Sequence, residues 1–127
     1  GRKPMFPLWL APTQVRIIPL KDEFLEFSQN LSDKLTAQNI RVDIDDRNES
    51  IGKRIRESEK EWIRYVLVIG EKEVGSTNLS VRDRTQRDVK EISFDNFADE
   101  IAKQNEGKPH STLNLPPLLS KRPIIQV

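Results

Sequence analysis

Tyr65-Val66-Leu67-Val68-Ile69-Gly70 is an unbroken apolar run stopped by a glycine. A run of that length with no polar interruption suits a strand buried on both faces, the position of a central strand in a parallel α/β sheet. It is far short of the roughly 20 apolar residues that a membrane-spanning helix needs. Upstream of it, Ser50 stands as an N-cap before Ile51 to Trp62, where Ile51 and Ile55 fall on one side of a helix. Before that helix, Ile40, Val42 and Ile44 alternate with Arg41, Asp43 and Asp45. The alternation predicts a half-buried strand whose charged face marks a sheet edge. Asn39 has the side chain that best tolerates the left-handed turn closing the preceding helix. That helix is predicted from Asp22 as N-cap to about Gln38, with Phe24, Phe27, Leu31 and Leu35 on one face. Val15, Ile17 and Ile18, ended by Pro19, give the first strand. The order strand, helix, strand, helix, strand makes two right-handed crossovers.

Downstream of Gly70 the pattern changes. Glu71 to Asn78 is a polar turn, and Leu79 to Arg84 alternates with Leu79 and Val81 on one face and Ser80, Arg82 and Arg84 on the other. So short a connection predicts an antiparallel return. Val89 to Ile92 adds a short strand, and Ser93 caps a last helix carrying Phe94, Phe97, Ala98 and Ile101, ended by Gly107. Three regions follow: an extended leading arm over 1–13, holding Pro4, Pro7 and Pro12, a folded unit over 14–107, and a tail over 108–127 without clear period.

The 127 residues carry a net charge of only +1, so a nucleic acid would have to be bound by a local patch and specific contacts. That modest charge, together with a first residue that is not methionine, points to a piece of a larger protein. Cysteine is absent, which removes disulfides and thiolate chemistry and makes the cytoplasm the default expectation. The single histidine, His110, lies in the tail, so no serine–histidine–acid constellation forms around a strand end. Glycines at 1, 52, 70, 75 and 107 do not make a phosphate loop. Asp43, Asp45 and Asp46, with Glu49, end the second strand, where open α/β sheets often bind ligands and where magnesium would find oxygen donors. The competing reading, a solvated edge strand whose acids pair with Arg41 and Arg47, is favoured because no nucleophile or phosphate anchor accompanies them.

A different polar set suits unstacked RNA bases. Asn48 precedes the second helix, Lys53, Arg54 and Arg56 crowd its early turns, and Gly52 leaves room for a nucleotide backbone or the adjacent sheet. Glu73 follows the central strand, and Arg82 and Arg84 share a strand face. A carboxylate accepts from the donors on guanine's pairing edge while an arginine supplies its acceptor. Ordinary surface charge with helix pairs explains the same residues about equally well on periodicity alone.

Three stretches shift that balance. Leu8 to Val15 resembles the junction between catalytic core and anticodon-binding domain in class II aminoacyl-tRNA synthetases. Arg41-Val42-Asp43-Ile44-Asp45-Asp46-Arg47-Asn48-Glu49-Ser50-Ile51-Gly52-Lys53-Arg54-Ile55-Arg56 resembles that family's second strand and helix, and Val68 to Val74 with Leu79 to Arg82 is similar to the threonyl branch. Glycyl and histidyl relatives lack the Arg-Asn-Glu and Gly-Glu-Lys-Glu pairings, and prolyl relatives carry Pro-Gly-Trp where Ile51-Gly52-Lys53 stands. The tail is similar to archaeal or eukaryotic-type forms.

The resemblance implies an α/β fold in three α/β/α layers, a five-stranded mixed sheet with three helices. It implies an RNA-binding domain that is not itself an enzyme, with no cofactor of its own. The parent would be a homodimeric threonine–tRNA ligase using ATP, magnesium and a catalytic zinc. Its partners would be the anticodon loop of threonine tRNA, read at the second and third bases, G and U, and the upstream catalytic domain. Asn48, Arg56, Glu73 and Arg82 match base-contacting positions, with Lys53, Arg54, Trp62, Arg64 and Arg84 as further candidates. Trp62 replaces an arginine of bacterial members, leaving three outcomes: that contact is lost, moved to Arg64, or exchanged for stacking on Trp62. An editing synthetase chain, or a polymerase-accessory interaction module of the same fold, would share most of these features.

Overall fold

The computed structural model describes residues 13–76, 78–84, 88–105 and 117–121. The leading arm before Thr13, Gly107 and His110 lie outside these. The elements are β1 (Val15–Pro19), α1 (Leu25–Thr36), β2 (Val42–Ile44), α2 (Ile51–Lys60), β3 (Tyr65–Ile69), α3 (Glu71–Val74), β4 (Asn78–Asp83), β5 (Asp88–Ser93) and α4 (Phe94–Asn105). One sheet runs β2-β1-β3-β4-β5; β1 pairs in parallel with β2 and β3, and β4 and β5 are antiparallel.

The mixed sheet and its strand count agree with expectation. The helices need correction in two places; first, the segment after β3 is a single helical turn, α3, and not an irregular polar turn. Its cause is local: the Glu73 carboxylate reaches back to accept the Gly70 amide at 2.9 Å, a capping-box bond at the N3 position. A Cβ at Gly70 would sit 3.0 Å from Cδ1 of the partly exposed Leu20, so a side chain there would require Leu20 to shift slightly. The first helix also starts differently: Asp22 lies inside a 3-10 turn, Asp22–Phe24, with Lys21 before it and no side-chain cap. Asn39 closes α1 at φ 65°, the left-handed conformation expected.

Alternation divides the sheet's two faces. Val15, Ile17, Val42, Ile44, Tyr65, Leu67, Ile69, Leu79 and Val81 form the main core with α1 and with Phe97, Ala98 and Ile101 of α4. The opposite face carries Ile18, Val66 and Val68 beneath Ile51 and Ile55 of α2. Two isoleucines stabilise by about 1.5–3 kcal/mol each at full burial, and these are only partly buried, so apolar contact alone fixes α2 weakly. Polar bonds orient it. Arg16 of β1 donates to Asp43 of β2 at 2.9 and 3.0 Å and to Glu61, just past α2, at 2.6 and 3.2 Å. Arg47 bonds Asp45 at 2.9 and 2.8 Å and pairs with Glu57 of α2. Arg54 of α2 donates to the Pro19 and Asp45 carbonyls at 2.9 and 3.2 Å.

These bonds correct the expected solvated edge strand. β2 is the outermost of the five strands but is buried throughout, with Asp43 and Asp45 fully inaccessible. Arg16, one strand further in, supplies the counter-charge that Arg41 was expected to give, and Arg47 neutralises Asp45. The edge itself is covered: Ile44 donates its amide to the Pro117 carbonyl at 2.8 Å, and Leu118 bridges to Ile44 in parallel and packs on the main core. Part of the tail is therefore docked.

Candidate nucleic-acid interface

Helix α2 lies over β1 and β3 with its two flanks occupied differently. Glu57 and Glu61, one turn apart, face β1 and β2, where Arg47 and Arg16 hold them. Gly52 and Arg56, also one turn apart, fall on the opposite flank, toward β3 and β4. Arg84 anchors that side by donating to the Glu59 carbonyl, with its guanidinium 5.5 Å from the centre of the Trp62 ring. Beyond this flank, and among the described residues, the β4–β5 part of the sheet face is open: Val89 is 49% exposed.

Register brings Ser80 opposite Val68 and Glu91, and Arg82 opposite Val66 and Val89, so all lie on the α2 side. Along β4 and just past its end this face reads Ser80, Arg82, Arg84. Ser80 donates to Glu73 at 2.8 Å and Arg84 is committed to α2, but Arg82 between them has no hydrogen bond or ion pair among the described residues, and its Nε is buried without a partner. Arg56 is exposed and, among the described residues, unpaired; Asn48 is exposed on the β2–α2 loop with its amide likewise free. Most of the other described arginines are spent: Arg16, Arg47, Arg54, Arg64 and Arg84 all bond within the fold.

Glu73 is held as an anion. Burial raises its pKa, but the Ser80 hydroxyl and the Gly70 amide stabilise the carboxylate more, and the net shift is below the usual carboxylate range. Each oxygen accepts one side-chain or amide bond from another described residue, Gly70 or Ser80. Arg56, Glu73 and Arg82 thus share the α2 side of the sheet. Asn48 lies on the rim at the carboxyl ends of the parallel strands, in an open cleft of about 240 Å³ with Leu20, Asp22 and Glu49. Leu20, one wall of the cleft, also abuts Gly70, whose amide Glu73 holds, so Leu20 stands between the cleft and the Glu73 side.

The further candidates divide. Lys53 is exposed and pairs with Glu49 at 3.2 Å. Arg54 is buried beneath α2, joining the ends of β1 and β2. Trp62 turns the chain after α2 at φ 66° and is half-buried. Arg64 lies at the amino end of β3, held by Asp83 at 3.6 Å, by Gln104 and by the Tyr65 ring at 5.0 Å. Trp62, Arg64 and Arg84 therefore stand at the opposite end of the strands from Asn48 and Glu73. The sequence pattern did not single out Ser80, although its parity with Arg82 put it on the same face, nor Val89, which is legible only once β5 is registered.

The acids that raised a magnesium site are already occupied: Asp43 by Arg16, Asp45 by Arg47, and Asp46 by Ser120 at 3.0 and 2.6 Å. Among the described residues no group of three or more His, Cys, Asp or Glu side chains is placed to hold a metal ion.

The family described as "Anticodon binding domain" matches residues 14–104. This chain belongs to that family. The anticodon-binding domain is 67% identical over 127 residues, its whole length, to the threonine–tRNA ligase of Nitrosopumilus maritimus, and 45% identical over 123 residues to that of Pyrococcus furiosus. It covers 20% of each of those proteins. The chain thus spans about a fifth of the length of the curated relatives it matches. In fold it is similar to the RNA-binding domain of threonyl-tRNA synthetase from Cryptosporidium parvum, with a TM-score of 0.73 at 24% identity over 84% of this chain and 26% of that one. Histidyl-tRNA synthetase from Nostoc follows at 0.68 and 24% identity, over 73% of this chain and 22% of that one. Both crystal structures share the class of fold expected from the sequence.

Proposed function

We propose that this anticodon-binding domain reads the anticodon loop of threonine tRNA at its second and third bases, G and U, as part of a threonine–tRNA ligase. The observation that carries the reading is Arg82: a guanidinium with no hydrogen bond or ion pair among the described residues, on the same side of the sheet as the anionic Glu73 network and Arg56, which is likewise unpaired among those residues. A free donor fork and a fixed carboxylate complement the acceptor and donors on a guanine pairing edge. Stacking needs flat or apolar surface, and exposed Val89 opposite Arg82 offers some. Asn48, on its separate rim, would meet a different base from Arg82. Lys53, Trp62 and Arg84 would contribute at most flanking contacts to the phosphates or neighbouring nucleotides.

The chemistry of aminoacylation belongs in this reading to the parent's catalytic domain, with its ATP, magnesium and zinc, in a cytoplasmic homodimer.

The test is binding of a threonine anticodon stem-loop against loops with the central G or the following U replaced, at two salt concentrations. Base discrimination at both salts, with a shallow salt slope fitting the near-neutral chain, is the expected result. Equal affinity for all loops would overturn the reading in favour of a protein-interaction module of the same fold.

A further inference from the structure

We infer that residues 117–121 act as a strap that positions the β2–α2 loop, and Asn48 on it, for RNA; the inference rests on the base reading proposed above. The loop is short and is fixed at two adjacent residues from two directions. On its inner side Asp45 is held by Arg47, which also joins α2 through Glu57. On its outer side Asp46 accepts both the Ser120 amide at 3.0 Å and the Ser120 hydroxyl at 2.6 Å. The strap is seated before it reaches Asp46, because Pro117 and Leu118 add to the free edge of β2 at Ile44 and Leu118 packs into the core. Ser120 is the middle residue of the 3-10 turn Leu119–Lys121 beside the loop. Asn48, two residues after Asp46, is exposed and its amide is unbonded among the described residues, while the backbone two residues before it is tied.

This arrangement suits recognition. A polar side chain selects a base only if its backbone is already in place, since ordering the loop on binding would consume part of the interaction free energy. Ser120 touches no RNA in this scheme. It is a positioning residue acting through Asp46, and it couples a segment more than 70 positions away in sequence to the reading of one base.

The 127-residue chain is compared with its Ser120→Ala, Ser120→Thr and Asn48→Ala variants, with the Asn48→Ala/Ser120→Ala pair, and with a chain ending at residue 116. Each is titrated with the cognate stem-loop and with loops changed at one base. Loss of one hydrogen bond of about 1 kcal/mol corresponds to a roughly fivefold weakening, expected for Ser120→Ala and concentrated at the base whose discrimination Asn48→Ala also removes. Ser120→Thr keeps the hydroxyl and should restore binding. The shortened chain should lose more, with faster amide exchange at Arg47 to Glu49. The pair should bind no worse than Asn48→Ala alone. Independent, multiplying losses, or a Ser120→Ala protein that discriminates as well as the parent chain, would overturn the strap while leaving base reading intact. If the unaltered chain itself fails to discriminate, base reading falls and the strap falls with it.

Discussion

Arg16 and Asp43 face each other across β1 and β2 with neither side chain accessible to solvent, joined by a fork of two bonds at 2.9 and 3.0 Å. Burial alone would lower the Arg16 pKa, but the bonds to Asp43 and Glu61 reverse that and raise it. Arg16 also carries Glu61, so one guanidinium fixes both the edge strand and the carboxyl end of α2.

Removing either member takes the buried counter-charge from the other, so Asp43→Leu or Arg16→Met should each destabilise by about 3–5 kcal/mol, even though Arg16 keeps Glu61. The double change Arg16→Met/Asp43→Leu should recover most of that loss. Urea unfolding of the three variants measures it, and additive losses would contradict a coupled pair.

Gly52 has no atom within 4 Å of the place a Cβ would occupy, so the neighbouring sheet does not require a glycine there. Gly52→Ala should therefore stabilise the isolated domain by about 0.5–1 kcal/mol. If the nucleotide backbone runs along this flank of α2, the same change weakens stem-loop binding. Thermal unfolding and titration on one preparation separate the two effects, which should have opposite signs.

Glu73 gives a pH signature. Its folded pKa is lowered, so its stabilising contribution is fully present above the ordinary glutamate range and is lost as pH falls through the lowered value. Glu73→Gln should be less stable near neutrality and flatter in the acid limb. Denaturation at several pH values from neutral into acid tests this, and parallel curves would show that Glu73 is not the titrating group.

Arg64 stands at the amino end of β3, tied to Asp83, Gln104 and Tyr65. Arg64→Ala should destabilise by about 1–3 kcal/mol through the partners left behind, with no change in the ratio of affinities between cognate and altered loops. Arg82→Ala should do the reverse. With no hydrogen bond or ion pair to another described residue, it should unfold like the parent chain, yet cost about 1–3 kcal/mol of binding, mostly at one base. Stem-loop titration and urea unfolding of both proteins distinguish a structural arginine from a reading one.

Much of this was legible beforehand. The apolar run at Tyr65 to Ile69 and the flanking periodicities define the strand order's parallel half, because burial on both faces leaves no polar position. Ser50, Asn39 and Ser93 mark helix ends through local chemistry, and two of those caps appear as bonds, Ser50 to the Lys53 amide and Ser93 to the Asn96 amide. What stayed hidden depends on pairing across the sheet. Asp43 looked solvated because nothing local reveals that Arg16 will register opposite it. The α3 turn was hidden in a polar stretch, although Gly70 and Glu73 at capping-box spacing carried the signal. Which arginines are spent and which are free is likewise a tertiary fact. Arg54, Arg56 and Arg84 are equivalent in sequence, yet Arg54 and Arg84 bond backbone carbonyls while Arg56 is exposed and unpaired among the described residues.

The seating of Pro117 and Leu118 against Ile44 has a bearing on handling the protein. A bare row of amides and carbonyls flanked by Val42 and Ile44 is a template for another molecule's strand, and here the chain's own end fills it. Shortened versions that stop before Pro117 would offer that row to their neighbours and favour self-association, whereas the far border, β5, carries Lys90 and Glu91 as a charged deterrent. Where such a protein is trimmed or fused therefore decides its solubility.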